Sequence, residues 1–480
     1  MFSFSYLPQT FPKDENLPNY VRDEFENFAG QLEFVGDIWE GKWAWFDYLS
    51  LAESDPVKSH RYLPFEVDET VEEYNLRLSR SHFYRFFRAS IEVFSGFLSD
   101  FNVREETPDQ IKALLENVDG KGNNLQTFLR LADEKALRDG HCYILVDYPQ
   151  VQPRNAREER ELGARPYLSL IDRRNIKNWL LNPSETEIEQ VTITEQIKVQ
   201  SGNFGVASVT QYRVITPNRF EVWRLDQNEP ILVESGEISL RKVPIVCYSC
   251  SASQSHQFES ELPLIDLAET NLKHYQRLSD YIEKEHAINM PVLVVQELER
   301  DYDDPLAPDS QDKEGKPEIK LGSRSALWNL EAKFIEPQAT SLQESRISIK
   351  NIEENIEKRT LTFLTTTEAP KTATEIAAFT SPTKANFQTM ADAKENNTEQ
   401  IFRLLGEFLG LSPRNVVGGI SVNRLIIEGG LSVEESRLLL EMQRNGQITL
   451  KTLLKNLIDG KKIKLSSSIQ DEIDMIGILE

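Results

Sequence analysis

The chain has 480 residues, with 54 Lys and Arg against 77 Asp and Glu and a formal net charge of −23. That length suits roughly three domains, and that acidity excludes a protein that grips nucleic acid through a broad basic face, because phosphate binding needs clustered Lys and Arg. No apolar run reaches the ~18 residues of a membrane-spanning helix, and three cysteines, Cys142, Cys247 and Cys250, are too few and too odd a set for a secreted disulfide framework. The opening MFSFSYLPQTFPKDENLPNY has no basic start and no continuous apolar core, so no signal peptide is expected. These features read as a soluble protein of a reducing compartment.

Residues 1 to 65 are rich in aromatics and acids, and VRDEFENFAGQLEFVGDIWEGKWAWFDYL reads as a helix followed by an aromatic loop. Thr70 and Glu73 stand in capping-box register, which predicts one long helix from about Val71 to Phe101. Pro108 suits a first helical position, so another helix starts near Thr107. Gly120 and Gly122 break the chain, Leu125 to Asp139 is helical, and Gly140 ends that helix. HCYILVDYP then reads as a short buried strand. From Tyr167 to Ser251 the period changes to two: YLSLID, QVTITEQIKV, ASVTQYRVI, RFEVWRL, PILVES and VPIVCYS read as strands of a mainly antiparallel sheet.

At Glu261 the period becomes helical again, with Leu264, Ala268, Leu272, Tyr275, Leu278 and Ile282 on one face and Pro291 beyond its end. PVLVV reads as a strand. ELERDYDDPLAPDSQDKEGKPE is acidic and Pro-containing and reads as a solvated loop. EIKLGSRSALWNL is strand-like. The chain is organised around Ser341 to Gly410. A first helix carries Ile349, Ile352, Ile356 and Phe363 at helical spacing. A turn, TTTEAPK, breaks it through β-branched threonines and Pro370. Thr372 and Glu375 then cap a second helix, in which Pro382 predicts a kink near Ser381. Past Gly410 come short units: a helix capped by Ser432 and Glu435 and ended by Gly446, another ended by Gly460, and a polar tail of low order.

Motifs for chemistry fail on context. GDIWEGKW has phosphate-loop spacing, but Trp43 replaces the Ser or Thr that would hold Mg²⁺, and no apolar strand leads into it; Gly36 and Gly41 read as turn residues. Cys247 and Cys250 form a lone CxxC without a second ligand pair, so they read as structural thiols. His60, His82, His141, His256, His274 and His286 show no HxxxH or HExxH spacing, and His274 and His286 read as surface or interface groups on a charged helix. Asp119 to Asn124 lacks the alternating ligands and closing Glu of a calcium loop and reads as a turn. No nucleophile elbow appears. No catalytic residue, metal or cofactor is therefore expected. The acids Asp301, Asp303, Asp304, Asp309, Asp312 and Glu314 read either as a solvated loop or as a site for a basic partner.

Three stretches in order, RYLPFEVDETVEEYNLRLSRSHFYRFF, GHCYILVDYP and KTATEIAAF after the Thr-rich turn, resemble a tailed-bacteriophage portal protein, in particular a branch catalogued as a portal-like domain of unknown function. The resemblance covers most of residues 20 to 460. It implies an α+β portal fold: a wing from 1 to 261 of helices and antiparallel sheet, stem helices at 262–290 and 341–364, a small clip at 291–340, a tunnel loop at 365–372, a long kinked helix at 373–410, and a mainly helical crown and C-terminal tail at 411–480. It implies a homo-oligomeric ring, commonly of about twelve subunits, at one capsid vertex. Double-stranded DNA would pass through the ring during packaging and ejection. Terminase large subunit, then a head–tail adaptor, and the major capsid protein would be its partners, in a virion assembled in the host cytoplasm. The tunnel loop would be Thr365, Thr366, Thr367, Glu368, Ala369, Pro370, Lys371 and Thr372. The clip acids, with Lys313 and Lys316, would meet the motor and the adaptor. Two other classes stay open beside this: a virion structural or scaffolding protein with no DNA channel, and a cytosolic α/β enzyme. Pro382 lies early in the second helix and the tail is short, departures that bear on helix length and crown size.

Overall fold

A computed structural model describes residues 11–45, 61–149, 165–250, 258–288, 292–297, 330–335, 340–361, 373–412, 418–424 and 433–459. The fold is α+β. In chain order the helices are α1 (Asp23–Glu40), α2 (Val71–Arg80), α3 (Phe86–Leu98), α4 (Asp109–Lys112), α5 (Leu125–Asp139), α6 (Ile265–Ile288), α7 (Thr340–Leu361), α8 (Ala373–Phe408), α9 (Val433–Arg444) and α10 (Leu450–Asp459). The strands are β1 (Phe101–Val103), β2 (His141–Asp147), β3 (Tyr167–Ile171), β4 (Ile176–Leu181), β5 (Ile188–Ser201), β6 (Gly205–Thr216), β7 (Arg219–Asp226), β8 (Glu229–Glu237), β9 (Ile245–Ser249), β10 (Val292–Glu297), β11 (Leu330–Ile335) and β12 (Ile420–Val422). The chain divides into two compact units: Met1–Asp47 with Tyr84–Asn271 and Ile356–Glu480, and Tyr48–Phe83 with Leu272–Asn355.

In the first unit α3 and α5 pack together, α1 contacts both, and α5 and α8 lie on a three-stranded antiparallel sheet of order β3-β2-β9. Phe87, Ile91, Leu98, Leu129, Ala132, Ala136, Leu137, Ile144 and Tyr248 are fully buried there. Strand β2 is buried on both faces, which is why its sequence is continuously apolar instead of alternating. The strands expected to form one sheet separate into two. YLSLI and IVCYS flank β2, whereas β4 to β8 make a five-stranded antiparallel meander in sequence order. Strand β4 lies in RNIKNWLL, where no clean alternation marks it. Gly140 ends α5 with φ 90°, and a Cβ there would stand 2.5 Å from the Glu261 carbonyl oxygen, so only glycine fits.

The single helix expected from Val71 to Phe101 is two helices. Within the first unit, the Asn271 side chain accepts the Phe87 N–H at 2.9 Å and donates to the Tyr84 carbonyl at 2.8 Å. A buried side chain from α6 thus takes over the backbone bonding at the start of α3. Gly36 is likewise no turn residue. It lies inside α1, where a Cβ would sit 3.0 Å from the Arg174 guanidinium, and Arg174 donates to the Leu32 carbonyl at 2.7 Å. Gly41, with φ 77°, does end that helix.

In the second unit the capping box at Thr70 and Glu73 is formed: Glu73 N–H reaches the Thr70 hydroxyl at 3.3 Å and Thr70 N–H reaches the Glu73 carboxylate at 2.9 Å. Buried Arg77 grips Glu69 at 2.7 Å and donates to the Pro64 carbonyl at 2.7 Å, which folds the YLP segment over α2. Tyr74 donates to the Leu63 carbonyl at 2.8 Å and stacks on Phe65. The Ser81 and Ser279 hydroxyls meet at 2.7 Å. Strands β10 and β11 pair antiparallel from Val292↔Ile335 to Glu297↔Leu330. Strand β11 includes Leu330, the last residue of the stretch read as strand-like, whose residues 318–329 lie outside the described residues.

Candidate functional site

Thr365 to Thr372, and the residues Asp301, Asp303, Asp304, Asp309, Asp312, Lys313, Glu314 and Lys316, lie outside the described residues. What the structure describes is how the elements that bracket them are held. The expected pair of long helices is present as α6 and α7, with bounds within a few residues of those expected. Ala268, Leu272 and Tyr275 of the expected apolar face are buried, as are Ile349 and Ile356 of α7. In the second unit His274 is fully buried and its Nε2 lies 3.0 Å from Glu353 Oε1, so α6 and α7 are pinned by a polar contact in an apolar seam. Of the surface or interface role read for His274, its burial removes the surface. His286 is exposed.

Helix α8, which follows the Thr-rich turn, runs as one element through Pro382. Its later turns are fixed in the first unit by Phe387, Ala391, Ile401, Phe402 and Leu405, all buried. Among them Lys394 reaches Asp133 of α5 at 2.5 Å with both side chains fully buried. Tyr248 donates to the other Asp133 oxygen at 2.6 Å. Burial pushes the Asp133 carboxyl above its ordinary range, against the pull of the Lys394 ammonium and of its hydrogen bonds. Asn397 donates to the Ser249 carbonyl at 2.8 Å. On the other side of α8, Arg104 pairs with Glu399 at 2.5 Å and Arg424 with Glu395 at 3.2 Å, next to the antiparallel β1–β12 pair. One signal for this anchor is visible without the structure: Asp133 falls on the apolar face of a predicted helix, between Ala132 and Ala136.

A second buried network closes the C-terminal end of α5. Asp139 accepts Arg138 at 2.6 Å and Arg174 at 2.9 Å, while Arg173 donates to the Asp139 and Ser260 carbonyls at 2.6 and 2.7 Å. His141 sits between Ser260 Oγ at 2.5 Å and the Tyr143 hydroxyl at 2.8 Å. Burial, with Arg173 nearby, holds its imidazole well below the ordinary value. These contacts tie the end of α5 to Arg173, Arg174 and Ser260.

The motifs set aside on sequence grounds have ordinary surroundings. Lys42 of the phosphate-loop lookalike is buried in a short helical turn after α1, and burial lowers its ammonium to about 8. Burial pushes the Cys247 thiol up to about 12, and those of Cys142 and Cys250 well above the usual range, which disfavours thiolate chemistry. Asp119 takes the Lys121 and Asn123 N–H groups at 2.8 and 3.2 Å, closing a turn. Among the described residues no cluster of three or more His, Cys, Asp or Glu is arranged to hold a metal ion, and no helix is long and apolar enough to cross a membrane. A cleft of about 520 Å³ lies between the two sheets of the first unit, lined in part by Tyr148, Tyr167, Phe220 and Phe408. Its Arg213 is held by Asp147 at 3.0 Å and Glu195 at 2.9 Å.

Residues 263–409, from the start of α6 to the end of α8, match the family model described as Domain of unknown function (DUF4055), which covers less than half of the chain. No curated protein matches. Among solved structures, the neck of an empty gene transfer agent (GTA) particle computed with C6 symmetry is similar at 11% identity and a TM-score of 0.39, over 78% of this chain and 90% of that one. The virion of a native GTA particle is similar at 10% identity and a TM-score of 0.38, over 78% and 89%. The neck of a native GTA particle computed with C12 symmetry is similar at 11% identity and a TM-score of 0.39, over 77% and 88%. These likenesses are remote.

Proposed function

We propose that copies of this chain close into a ring at one capsid vertex of a tailed bacteriophage, where the ring is the channel for DNA packaging and ejection. The observation that carries the reading is the order of the central elements. Two long helices, α6 and α7, bracket the antiparallel β10–β11 pair, whose intervening sequence is acidic, and α8 follows after the Thr-rich sequence of residues 362–372. In this reading α6 and α7 are the stem, the segment between them is the clip that meets the packaging terminase and later the head–tail adaptor, and residues 365–372 face the axis.

The charge supports the role. DNA must slide through the ring, and each firm phosphate contact would act as a brake. A chain of net charge −23 gives a wall that does not hold the duplex. Lys371 is the single base of the turn, repeated once per copy around the ring. ATP hydrolysis belongs in this reading to the motor and not to the ring. The neck and virion structures named above come from assembled particles, and the reading does not rest on them. Sedimentation of the purified protein over a range of salt tests the assembly. Closed oligomers of one size are expected, and monodisperse monomers at every salt concentration contradict the reading.

A further inference from the structure

The five-stranded sheet of the first unit has an uneven outline. Strand β5 pairs with β6 from Val191↔Ile215 to its end at Ser201↔Gly205, but β7 pairs only with Tyr212 to Thr216 of β6. Strand β4 reaches only as far as Ile193 on the other side. Residues from about Glu195 to Gln211 therefore form a two-stranded arm that extends past the sheet. Polar cross-strand bonds hold it, Gln196 to the Thr210 hydroxyl at 2.7 Å and Gln211 to Glu195 at 2.7 Å. The tip is fixed by its turn: a Cβ on Gly205 would stand 2.5 Å from the Ser201 carbonyl oxygen. That turn presents Phe204, 99% exposed, with Val206 beside it at 66%. A two-stranded ribbon is marginal in water unless something packs on it, and Phe204 with Val206 gives the end of this one an apolar surface.

We infer that the arm of one copy inserts Phe204 into the cleft between the two sheets of a second copy. The cleft has the room, about 520 Å³, and its largely polar lining includes the rings of Tyr148, Tyr167, Phe220 and Phe408. It belongs to another copy because the arm's own cleft is out of reach. At roughly 3.4 Å per residue along β6, Phe204 stands ~35 Å from Ile215 at the cleft floor. Charge agrees. Beyond Glu195 at its base, the arm's one charged residue is Lys198, and the cleft is lined by Asp147, Glu234 and Glu237 against a single Arg213. Knob and hole are different surfaces of the same chain, so the contact is head-to-tail, and repeated by rotation it closes a ring. The inference rests on the proposed assembly of copies but not on a channel or on DNA.

The test uses the full chain with Phe204→Cys and Ser239→Cys, separately and together, Ser239 being an exposed residue of the cleft lining. Under mild oxidation the double variant is expected to give disulfide-linked dimers and higher multimers on a non-reducing gel, and neither single variant should. Phe204→Asp, at a tip where no folding contact is lost, is expected to keep the wild-type circular dichroism and melting curve while raising the concentration needed for assembly at least about tenfold. If wild type assembles, the double variant fails to cross-link and Phe204→Asp assembles normally, this contact is wrong and the assembly stands. If wild type is a monomer at every concentration, both fall.

Discussion

Lys394 of α8 and Asp133 of α5 meet at 2.5 Å with no solvent exposure on either side chain, and Tyr248 of β9 closes the same carboxylate at 2.6 Å. One salt bridge thus joins the helix that follows the Thr-rich turn to both a helix and a strand of the first unit's core. An isolated buried pair repays little more than its own desolvation, but removing one partner strands the other. Lys394→Met is therefore expected to destabilise the fold by about 3–5 kcal/mol, and combining it with Asp133→Asn should cost clearly less than the sum of the single changes. Denaturant unfolding of the three variants checks this, and strict additivity would remove the pair from the anchor.

The pH dependence has a definite sign at His141. In the unfolded chain an imidazole titrates near 6.5, whereas the folded group, buried beside Arg173, is held well below that. Above the unfolded value neither state binds the proton and the contribution is intact. As pH falls below it only the unfolded chain gains charge, so stability drops by about 1.4 kcal/mol per pH unit until the folded value is reached. His141→Gln is expected to flatten that slope between about pH 6.5 and 5. Unfolding midpoints of both proteins across this window supply the measurement, and parallel slopes would refute the assignment.

Gly140 ends α5 where the backbone takes φ 90° and the Glu261 carbonyl leaves no space for a Cβ. Gly140→Ala is expected to cost more than about 1 kcal/mol, since strain at positive φ and the clash outweigh the stabilisation gained by a less flexible unfolded chain. Gly120→Ala, also at positive φ but with open space around it, should cost less. Thermal melting of the pair ranks the two sites.

Much of this fold was legible where the deciding partner is close in sequence. Thr70 with Glu73 marks the start of α2, Gly140 marks the end of α5, and the apolar spacing of Ala268, Leu272 and Tyr275 marks the buried side of α6. The errors occur where a distant side chain decides. Asn271 turns the chain between α2 and α3 from 184 residues away. Arg174 lies beside Gly36 and bonds the Leu32 carbonyl of α1, and Glu353 meets the buried His274. Strand β4 lacked alternation, and the split into two sheets depends on which strands β2 recruits, which period-two spacing does not encode. For the site, the helices on either side of the turn were readable from periodicity, whereas the Lys394–Asp133 anchor was not, because the two residues lie 261 apart.

The turn between α7 and α8 carries the functional reading. Deleting Thr366 to Pro370 is expected to leave ring assembly intact, because α8 is held by contacts from Phe387 onward, and to impair DNA packaging or retention. Particles assembled with the deleted chain, scored for DNA content, make the comparison. Normally filled heads would refute the assignment of 365–372 to the channel.

Electron microscopy of the purified full-length protein tests the central claim most directly. The account predicts rings with an open axial hole wide enough for a DNA duplex and residues 365–372 at its wall. Particles without a hole, or rings in which α7 and α8 meet far from the axis, would contradict it.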